Sequence, residues 1–246
     1  MRLLVSVSRP DDAAVAIEGG ADIIDAKDAT QGALGAVAPS VLRAIIAATG
    51  GQRPVSVAIG EAPDSSVPTR LAGLNAGDVS FVKLGFAAGV NSQQGAAHAR
   101  SLADALAGTG TGVVLAAYAD AGRDRLGRDA VIEIAMSCGA TGVLLDTLDK
   151  RGARPVFAML DPDDVAAWVA AAQRAGLLAA LAGSLGADEI ALARDAGADV
   201  AGVRGAACHG GRTGRISAAR VRALAGRMRF VSGDARAVTG GQAVVS

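Results

Sequence analysis

This chain of 246 residues has little of what marks several classes of protein. It has two cysteines, Cys138 and Cys208, far apart and with no neighbouring cysteine, so the sequence predicts neither a disulfide framework nor a zinc site. It has no uninterrupted apolar run of the roughly 18 residues that a membrane-spanning helix needs. The apolar start, residues 1–7, is too short for a signal peptide. We therefore expect a cytoplasmic protein that holds no metal.

An excess of charge is also absent, because 24 basic residues balance 24 acidic ones. Such a balance gives no reason to expect nucleic acid or an anionic membrane surface as a partner, so any anion binding must be local. Aromatic residues make up only 2% of the chain, but 51% of it is hydrophobic, which is ample for a core. Alanine-rich helices with exposed apolar positions allow self-association into a homo-oligomer.

Short apolar runs alternate with longer alanine-rich segments along the whole chain. The runs predict strands and the segments predict helices, each strand being followed by its helix. Strands are predicted at 3–8, 23–27, 54–60, 81–86, 112–120, 142–148, 179–185 and 200–208, and helices at 11–20, 39–49, 67–76, 93–107, 129–138, 162–175, 187–196 and 217–225. Strict alternation of this length predicts a parallel sheet closed into a (β/α)8 TIM barrel.

The alternative is an open, doubly wound sheet. A dinucleotide-binding sheet would carry Gly-x-Gly-x-x-Gly after its first strand, where this chain has Ser8, Arg9, Pro10 and Asp11 instead. The sequence therefore favours the barrel. We expect one domain over residues 1–246, with a short extension from about residue 226.

Charged residues stand where three apolar strands are predicted to end. Lys27, Lys83 and Asp146 belong to the second, fourth and sixth strands, and Asp25 points to the same side as Lys27. Lys150 follows Asp146 by four residues. Because a buried ammonium is costly unless it is paired or neutral, this pattern predicts an amine nucleophile, a base or an anion site at the barrel mouth. A buried ion pair that only fixes the mouth, or a solvated turn at Asp146 and Lys150, remains the alternative.

Glycines cluster at the ends of the last two predicted strands, where barrels often hold phosphate through loop amides. Gly183 and Ser184 lie at the end of the seventh strand, and Gly202, Arg204 and Gly205 occupy the eighth. Glycine lets backbone N–H groups approach an anion, and Ser184 and Arg204 add side-chain donors. These residues predict a phosphate site, although glycines that serve only turns and packing would look the same. The basic stretch 208–215 beyond them is interpreted as a loop, with a lid or a second anion contact as the alternative.

Several segments together resemble the (5-formylfuran-3-yl)methyl phosphate synthase family. They are EGGADIIDAKD (18–28), VKLG (82–85), LDTLDK (145–150) and AGSL (182–185), and the likeness spans nearly the whole chain. This family makes the furan precursor of methanofuran from two triose phosphates, in methanogens and, for the related cofactor, in methylotrophic bacteria. The order Asp-x-Lys, Lys-x-Gly and Asp-x-x-x-Lys is specific, whereas any one of these motifs alone would be weak.

The resemblance implies a barrel related to class I aldolases and a lyase that needs no cofactor. It implies that Lys27 forms a Schiff base with a triose phosphate, that Lys83 accepts a proton, and that Asp25, Asp146 and Lys150 complete the polar site. An iminium acts as an electron sink, which is why an amine suits this chemistry. The residues alone leave open which lysine is the nucleophile, because neighbouring amines lower each other's basicity.

Two other functions fit the same barrel. A retro-aldolase or phosphosugar isomerase would need the same lysines but would release no inorganic phosphate. A non-catalytic phospho-ligand-binding barrel would keep the glycine loops and use its lysines only to bind.

Overall fold

Eight parallel strands pair in the order of the chain, and β1 pairs with β8 to close the barrel. The computed structural model describes residues 1–150, 152 and 154–228. The strands are β1 (Arg2–Val7), β2 (Ile23–Ala26), β3 (Val55–Ala62), β4 (Phe81–Phe86), β5 (Gly112–Tyr118), β6 (Gly142–Asp146), β7 (Leu178–Leu181) and β8 (Val200–Val203). The prediction of a closed barrel is confirmed, and the open sheet is excluded.

A helix follows each strand and covers the outside of the barrel. The helices are α1 (Pro10–Glu18), α2 (Pro39–Thr49), α3 (Ser66–Ala72), α4 (Ser92–Ala105), α5 (Arg128–Ser137), α6 (Pro162–Arg174), α7 (Ala187–Asp195) and α8 (Ala218–Arg227). Their starts follow local chemistry, since proline opens α1, α2 and α6, and Asp161 and Ser217 cap α6 and α8 with side-chain oxygens. No helix among residues 1–150, 152 and 154–228 is long and apolar enough to cross a membrane.

The hydrophobic core lies between the outer face of the strands and the helices. Along β1, Leu3, Val5 and Val7 point to this layer and are completely buried. The alternate positions face the barrel interior, where β1 places Ser6. The period of two along each strand therefore separates a packed apolar layer from an interior that can carry polar side chains.

The eighth strand is shorter than predicted. It ends at Val203 rather than at residue 208, because the backbone turns into a short 3-10 helix at Gly205–Ala207. Residues beyond this turn form a small antiparallel hairpin, β9 (Cys208–His209) with β10 (Arg215–Ile216), which the sequence analysis interpreted as a plain loop. The seventh strand likewise ends at Leu181, so that Gly183 and Ser184 lie in the loop that follows it.

The fourth strand matches its predicted bounds, but Lys83 lies third of its six residues rather than near its end. β3 changes register against β4 between Ala58 and Glu61, and the pairing then continues to Phe86. The extra residue lies in β3, and β4 continues for three residues beyond Lys83, so the lysine lies within the strand rather than at its end. The C-terminal extension was expected from about residue 226; α8 runs to Arg227, and residues 229–246 lie outside the described part of the chain.

Candidate active site

A cavity of about 360 Å³ opens among the C-terminal ends of the strands and extends into the barrel. It brings together every residue that the sequence analysis singled out for catalysis or phosphate binding. These residues are Asp25, Lys27, Lys83, Asp146, Lys150, Gly183, Ser184, Gly202, Arg204 and Gly205. The cavity has the position at which barrel enzymes bind their substrates.

All lysines of the protein line this one cavity. The sequence contains three lysines against 21 arginines, and the three are Lys27, Lys83 and Lys150. Arginine stays protonated in proteins, whereas a buried lysine can become a neutral amine. The chain therefore confines lysine to this cavity and carries the rest of its positive charge on arginine. The small number of lysines is visible in the sequence alone and could have pointed to these three residues.

Asp25 is paired with Lys83 rather than with its near neighbour Lys27. The Lys83 Nζ atom lies 2.6 Å from Asp25 Oδ1, and both side chains are almost fully buried. Ser6 on β1 donates its hydroxyl proton to the other carboxylate oxygen, Asp25 Oδ2, over 2.8 Å. Three strands, β1, β2 and β4, thus hold one carboxylate in a fixed orientation between a hydroxyl group and an amine.

Asp146 is shared by the other two lysines. The Lys150 Nζ atom lies 2.5 Å from Asp146 Oδ1, and the Lys27 Nζ atom lies 3.8 Å from Asp146 Oδ2. The backbone N–H of Thr147 also donates to Oδ1, and the Thr147 hydroxyl accepts a hydrogen bond from Lys150 over 3.1 Å. Asp146 and Lys150 therefore form a buried network at the end of β6, not a solvated turn.

Burial and neighbouring charges shift the pKa values of Lys27 and Asp146 below their usual ranges. Burial lowers the pKa of Lys27 from 10.5 to about 8; the nearby charge of Asp146 limits this fall, and Lys83 adds to it. For Asp146, burial acts to raise the pKa, but Lys150 and Lys27 outweigh it and bring the pKa down from 3.8 to about 2. At neutral pH the site thus contains a fixed anion beside an amine that loses its proton easily.

This pKa predicts how the reactivity of Lys27 depends on pH. Because only the neutral amine attacks a carbonyl, the rate at which Lys27 forms a borohydride-reducible imine should rise with pH and level off above about 8. The measurement is single-turnover trapping between pH 6 and 11, with mass-spectrometric mapping of the three lysines. A rate that still rises above pH 10, as an unperturbed lysine would give, contradicts the prediction.

The loop after β7 leaves two successive backbone amides beside the cavity without a partner among the described residues. Gly183 has φ 93° and Ser184 has φ 57°, so two successive residues lie in the left-handed region. A Cβ atom on Gly183 would lie 2.8 Å from the Thr147 methyl group, so glycine is required there. Among the described residues, the backbone N–H groups of Gly183 and Ser184 have no hydrogen-bond partner, and α7 begins shortly after them. Such free amides suit a phosphate group.

Arg204 has a different role in the structure from the one expected of a free donor. Its Nε, Nη1 and Nη2 atoms donate to the carbonyl oxygens of Arg212, Ser6 and Gly214, over 2.9–3.0 Å. Asp12 lies 3.7 Å from Nη1. Arg204 therefore holds the loop after β8 against β1, and its neighbour Gly205 stays beside the cavity with its backbone N–H.

Two residues of the cavity wall were missed or left without a role by the sequence analysis. Ser6, an inward-facing hydroxyl in an otherwise apolar strand, could have been found from the period of two along β1. Arg212 belongs to the stretch 208–215; its place in the wall depends on the hairpin that the sequence analysis did not predict.

Comparison with known proteins identifies the family. The sequence model of the 4-HFC-P synthase family matches residues 3–225. The chain belongs to the 4-HFC-P synthase family. A (5-formylfuran-3-yl)methyl phosphate synthase of Methanopyrus kandleri is 38% identical over 91% of this chain and 97% of its own length. A putative (5-formylfuran-3-yl)methyl phosphate synthase of Methylorubrum extorquens is 36% identical over 84% of this chain and 82% of its own length.

Solved structures agree on the fold. The phosphoribosyl anthranilate isomerase of Thermus thermophilus aligns with 93% of this chain and 98% of its own length, with a TM-score of 0.63 and 19% sequence identity. At that identity the likeness concerns the barrel alone. This member of the 4-HFC-P synthase family therefore has a TIM barrel, and its lysine-lined cavity occupies the usual site of chemistry in that fold.

Proposed function

We propose that this chain makes (5-formylfuran-3-yl)methyl phosphate from two molecules of glyceraldehyde 3-phosphate, with loss of one phosphate and of water, in methanofuran biosynthesis. It acts as a lyase that works through a lysine Schiff base. Support comes from membership of the 4-HFC-P synthase family over most of the chain. The observation that carries the mechanism is the gathering of all three lysines around one cavity, two of them sharing a single buried carboxylate.

Lys27 is the proposed nucleophile. Its lowered pKa of about 8 makes the neutral amine accessible near physiological pH, and Asp146 keeps it oriented from 3.8 Å away. The neutral amine attacks the carbonyl of the first triose phosphate, whose oxygen leaves as water, and the resulting iminium withdraws electrons from the neighbouring carbon. The Lys150–Asp146 pair lies beside this carbon–nitrogen bond and supplies the proton for the departing oxygen.

The Lys83–Asp25 pair is the proposed acceptor of the proton from the neighbouring carbon. Its amine and carboxylate lie 2.6 Å apart, so a proton arriving on one group is shared with the other. Ser6 fixes the far oxygen of the carboxylate and so keeps the pair aimed into the cavity. Loss of the proton converts the iminium into an enamine, which adds to the aldehyde carbon of the second triose phosphate.

The amides of Gly183, Ser184 and Gly205 are the proposed holders of the first substrate's phosphate. The first two are successive residues of the loop after β7, and among the described residues their N–H groups donate to no other group. Arg204 keeps the loop of Gly205 in place through its three carbonyl contacts. Gly202 adds no side chain to the cavity wall between Leu4 and Ala182.

The lining of the cavity includes six cationic side chains and two carboxylates, which suits a phosphorylated substrate in a protein of zero net charge.

The test is to incubate the purified protein with glyceraldehyde 3-phosphate alone. We expect the ultraviolet absorbance of a conjugated furan aldehyde to rise in step with inorganic phosphate, one phosphate for each furan. A protein-free control corrects for phosphate that the substrate loses spontaneously. Substrate loss without a furan chromophore and without enzyme-dependent phosphate would indicate a retro-aldolase or isomerase instead. Binding without any turnover would indicate a non-catalytic phospho-ligand-binding barrel.

A further inference from the structure

Arg212 is a cation in the cavity wall that has no ion-pair partner among residues 1–150, 152 and 154–228. Lys83 is paired with Asp25, and Lys27 and Lys150 share Asp146. Among the described residues, no carboxylate lies within ion-pair distance of the Arg212 guanidinium. Its Nε and Nη2 atoms instead donate to two neutral carbonyls, those of Ala29 and Gly32, over 3.1 and 2.8 Å. These contacts satisfy two of the Arg212 donors but give its positive charge no ion-pair partner.

Arg212 lies at the rim between the proposed phosphate loop and Lys27. Its backbone N atom would be 3.8 Å from a Cβ atom on Gly205, so its backbone passes directly beside that glycine. Its carbonyl oxygen is held by Arg204. From there the side chain reaches the loop after β2, where Ala29 is only two residues beyond Lys27. The Arg212 side chain thus ties the β8 loop to the β2 loop at the part of the rim where β1 lies between the two strands.

The surroundings of this guanidinium suit a further anion. Half burial lowers the pKa of Arg212 by removing water, and the charge of Asp146 partly offsets this effect. A cation that has lost part of its hydration gains most from an anion that can accept several hydrogen bonds, and phosphate fits a guanidinium well. Among the described residues, the Nη1 atom has no hydrogen-bond partner, so it is available to such a ligand.

We propose that Arg212 binds the phosphate group of the second triose phosphate with its guanidinium, on the β2 side of the cavity and apart from the amides of Gly183 and Ser184, which follow β7. This proposal rests on the proposed function, because only a reaction of two phosphorylated molecules needs two phosphate subsites in one cavity. The same contact closes the rim, since Arg212 holds the β2 loop through Ala29 and Gly32 while it holds the substrate.

The first experiment uses inorganic phosphate as the probe and does not depend on any reaction. Calorimetric titration at low ionic strength should give two phosphate sites in the unaltered protein and one in Arg212→Gln, while Arg212→Lys should restore the second site in part. Arg222→Gln, a matched loss of one charge on the exposed face of α8, should keep both sites. An isotherm that is the same in Arg212→Gln, or a single site in the unaltered protein, overturns the proposal.

The second experiment separates the two substrates. Trapping of Lys27 with dihydroxyacetone phosphate occupies only the first subsite and should be unchanged in Arg212→Gln. The KM for furan formation from glyceraldehyde 3-phosphate should rise by about tenfold to a hundredfold, the loss expected for one charge-assisted contact. Equal weakening of trapping and of furan formation would show a general role in loop structure and would contradict a second subsite. The proposed function fails if no triose phosphate can be trapped on Lys27. If Arg212→Gln nevertheless binds one inorganic phosphate fewer than the unaltered protein, the anion site at Arg212 stands.

Discussion

Replacing Lys27 with arginine is expected to abolish the covalent adduct with a triose phosphate and to reduce furan formation at least about a thousandfold. Arginine keeps the positive charge near Asp146, but it does not release its proton and so cannot form an imine. The measurement is borohydride trapping followed by peptide mapping, together with the furan and phosphate assay. Because the chain has only three lysines, one digest locates the adduct without ambiguity.

Lys83→Arg and Lys150→Arg serve as matched controls, since each removes one of the other two amines of the same cavity. Lys150→Arg should still give a trapped adduct at Lys27, and Lys83→Arg should give the adduct but little furan, because it lacks the proton acceptor. An adduct mapped to Lys83 in the unaltered protein would reverse the assigned roles of the two lysines. An adduct that survives in Lys27→Arg would contradict the proposed mechanism altogether.

Replacing Asp146 with asparagine is expected to lower the free energy of unfolding by about 3–5 kcal/mol. The asparagine has nearly the same shape, but it leaves the buried amines of Lys27 and Lys150 without their shared counter-ion. The measurement is urea denaturation at pH 7. Asp104→Asn, at an exposed position of α4, is the matched control and should change stability by less than about 0.5 kcal/mol.

The loss of stability in Asp146→Asn should depend on pH, because the charge of Asp146 acts on the pKa of Lys27. Without Asp146 the pKa of Lys27 should fall below its present value of about 8, because the carboxylate is the main influence that raises it. Between that lower pKa and about 8, Lys27 has lost its proton in the folded variant but keeps it in the folded unaltered protein and in both unfolded chains, so only the stability of the variant rises with pH. The difference in unfolding free energy between Asp146→Asn and the unaltered protein should therefore narrow from pH 7 to about pH 8 and change little above that. A difference in unfolding free energy that is small at pH 7, or that increases with pH, would contradict the assigned network of Asp146 with Lys27 and Lys150.

The amino-acid sequence by itself determined the architecture. Eight strands and eight helices alternate, and the period of two along each strand places Asp25 and Lys27 on one side, so the barrel and the gathering of these charges at its mouth follow from local patterns. The glycines near the ends of the seventh and eighth strands are also visible in the sequence, although the apolar pattern predicts Gly183 and Ser184 within the seventh strand and they lie in the loop after it. The family was evident from the same motifs, which extend over nearly the whole chain.

Only the tertiary structure decided which charged groups are partners. Spacing along a strand fixes the face on which a side chain lies, but pairs between strands depend on register and on the reach of each side chain. Through Ser56 on β3, the register sets Asp25 level with Phe81, two residues before Lys83, and the Lys83 amine still lies 2.6 Å from the Asp25 carboxylate. For the same reason Lys27 contacts Asp146 on a different strand rather than Asp25 two residues away. The roles of Arg204 and Arg212 depend on a hairpin whose fold brings distant carbonyls within reach. Such contacts arise from the closure of the barrel and its loops, which no local sequence pattern encodes.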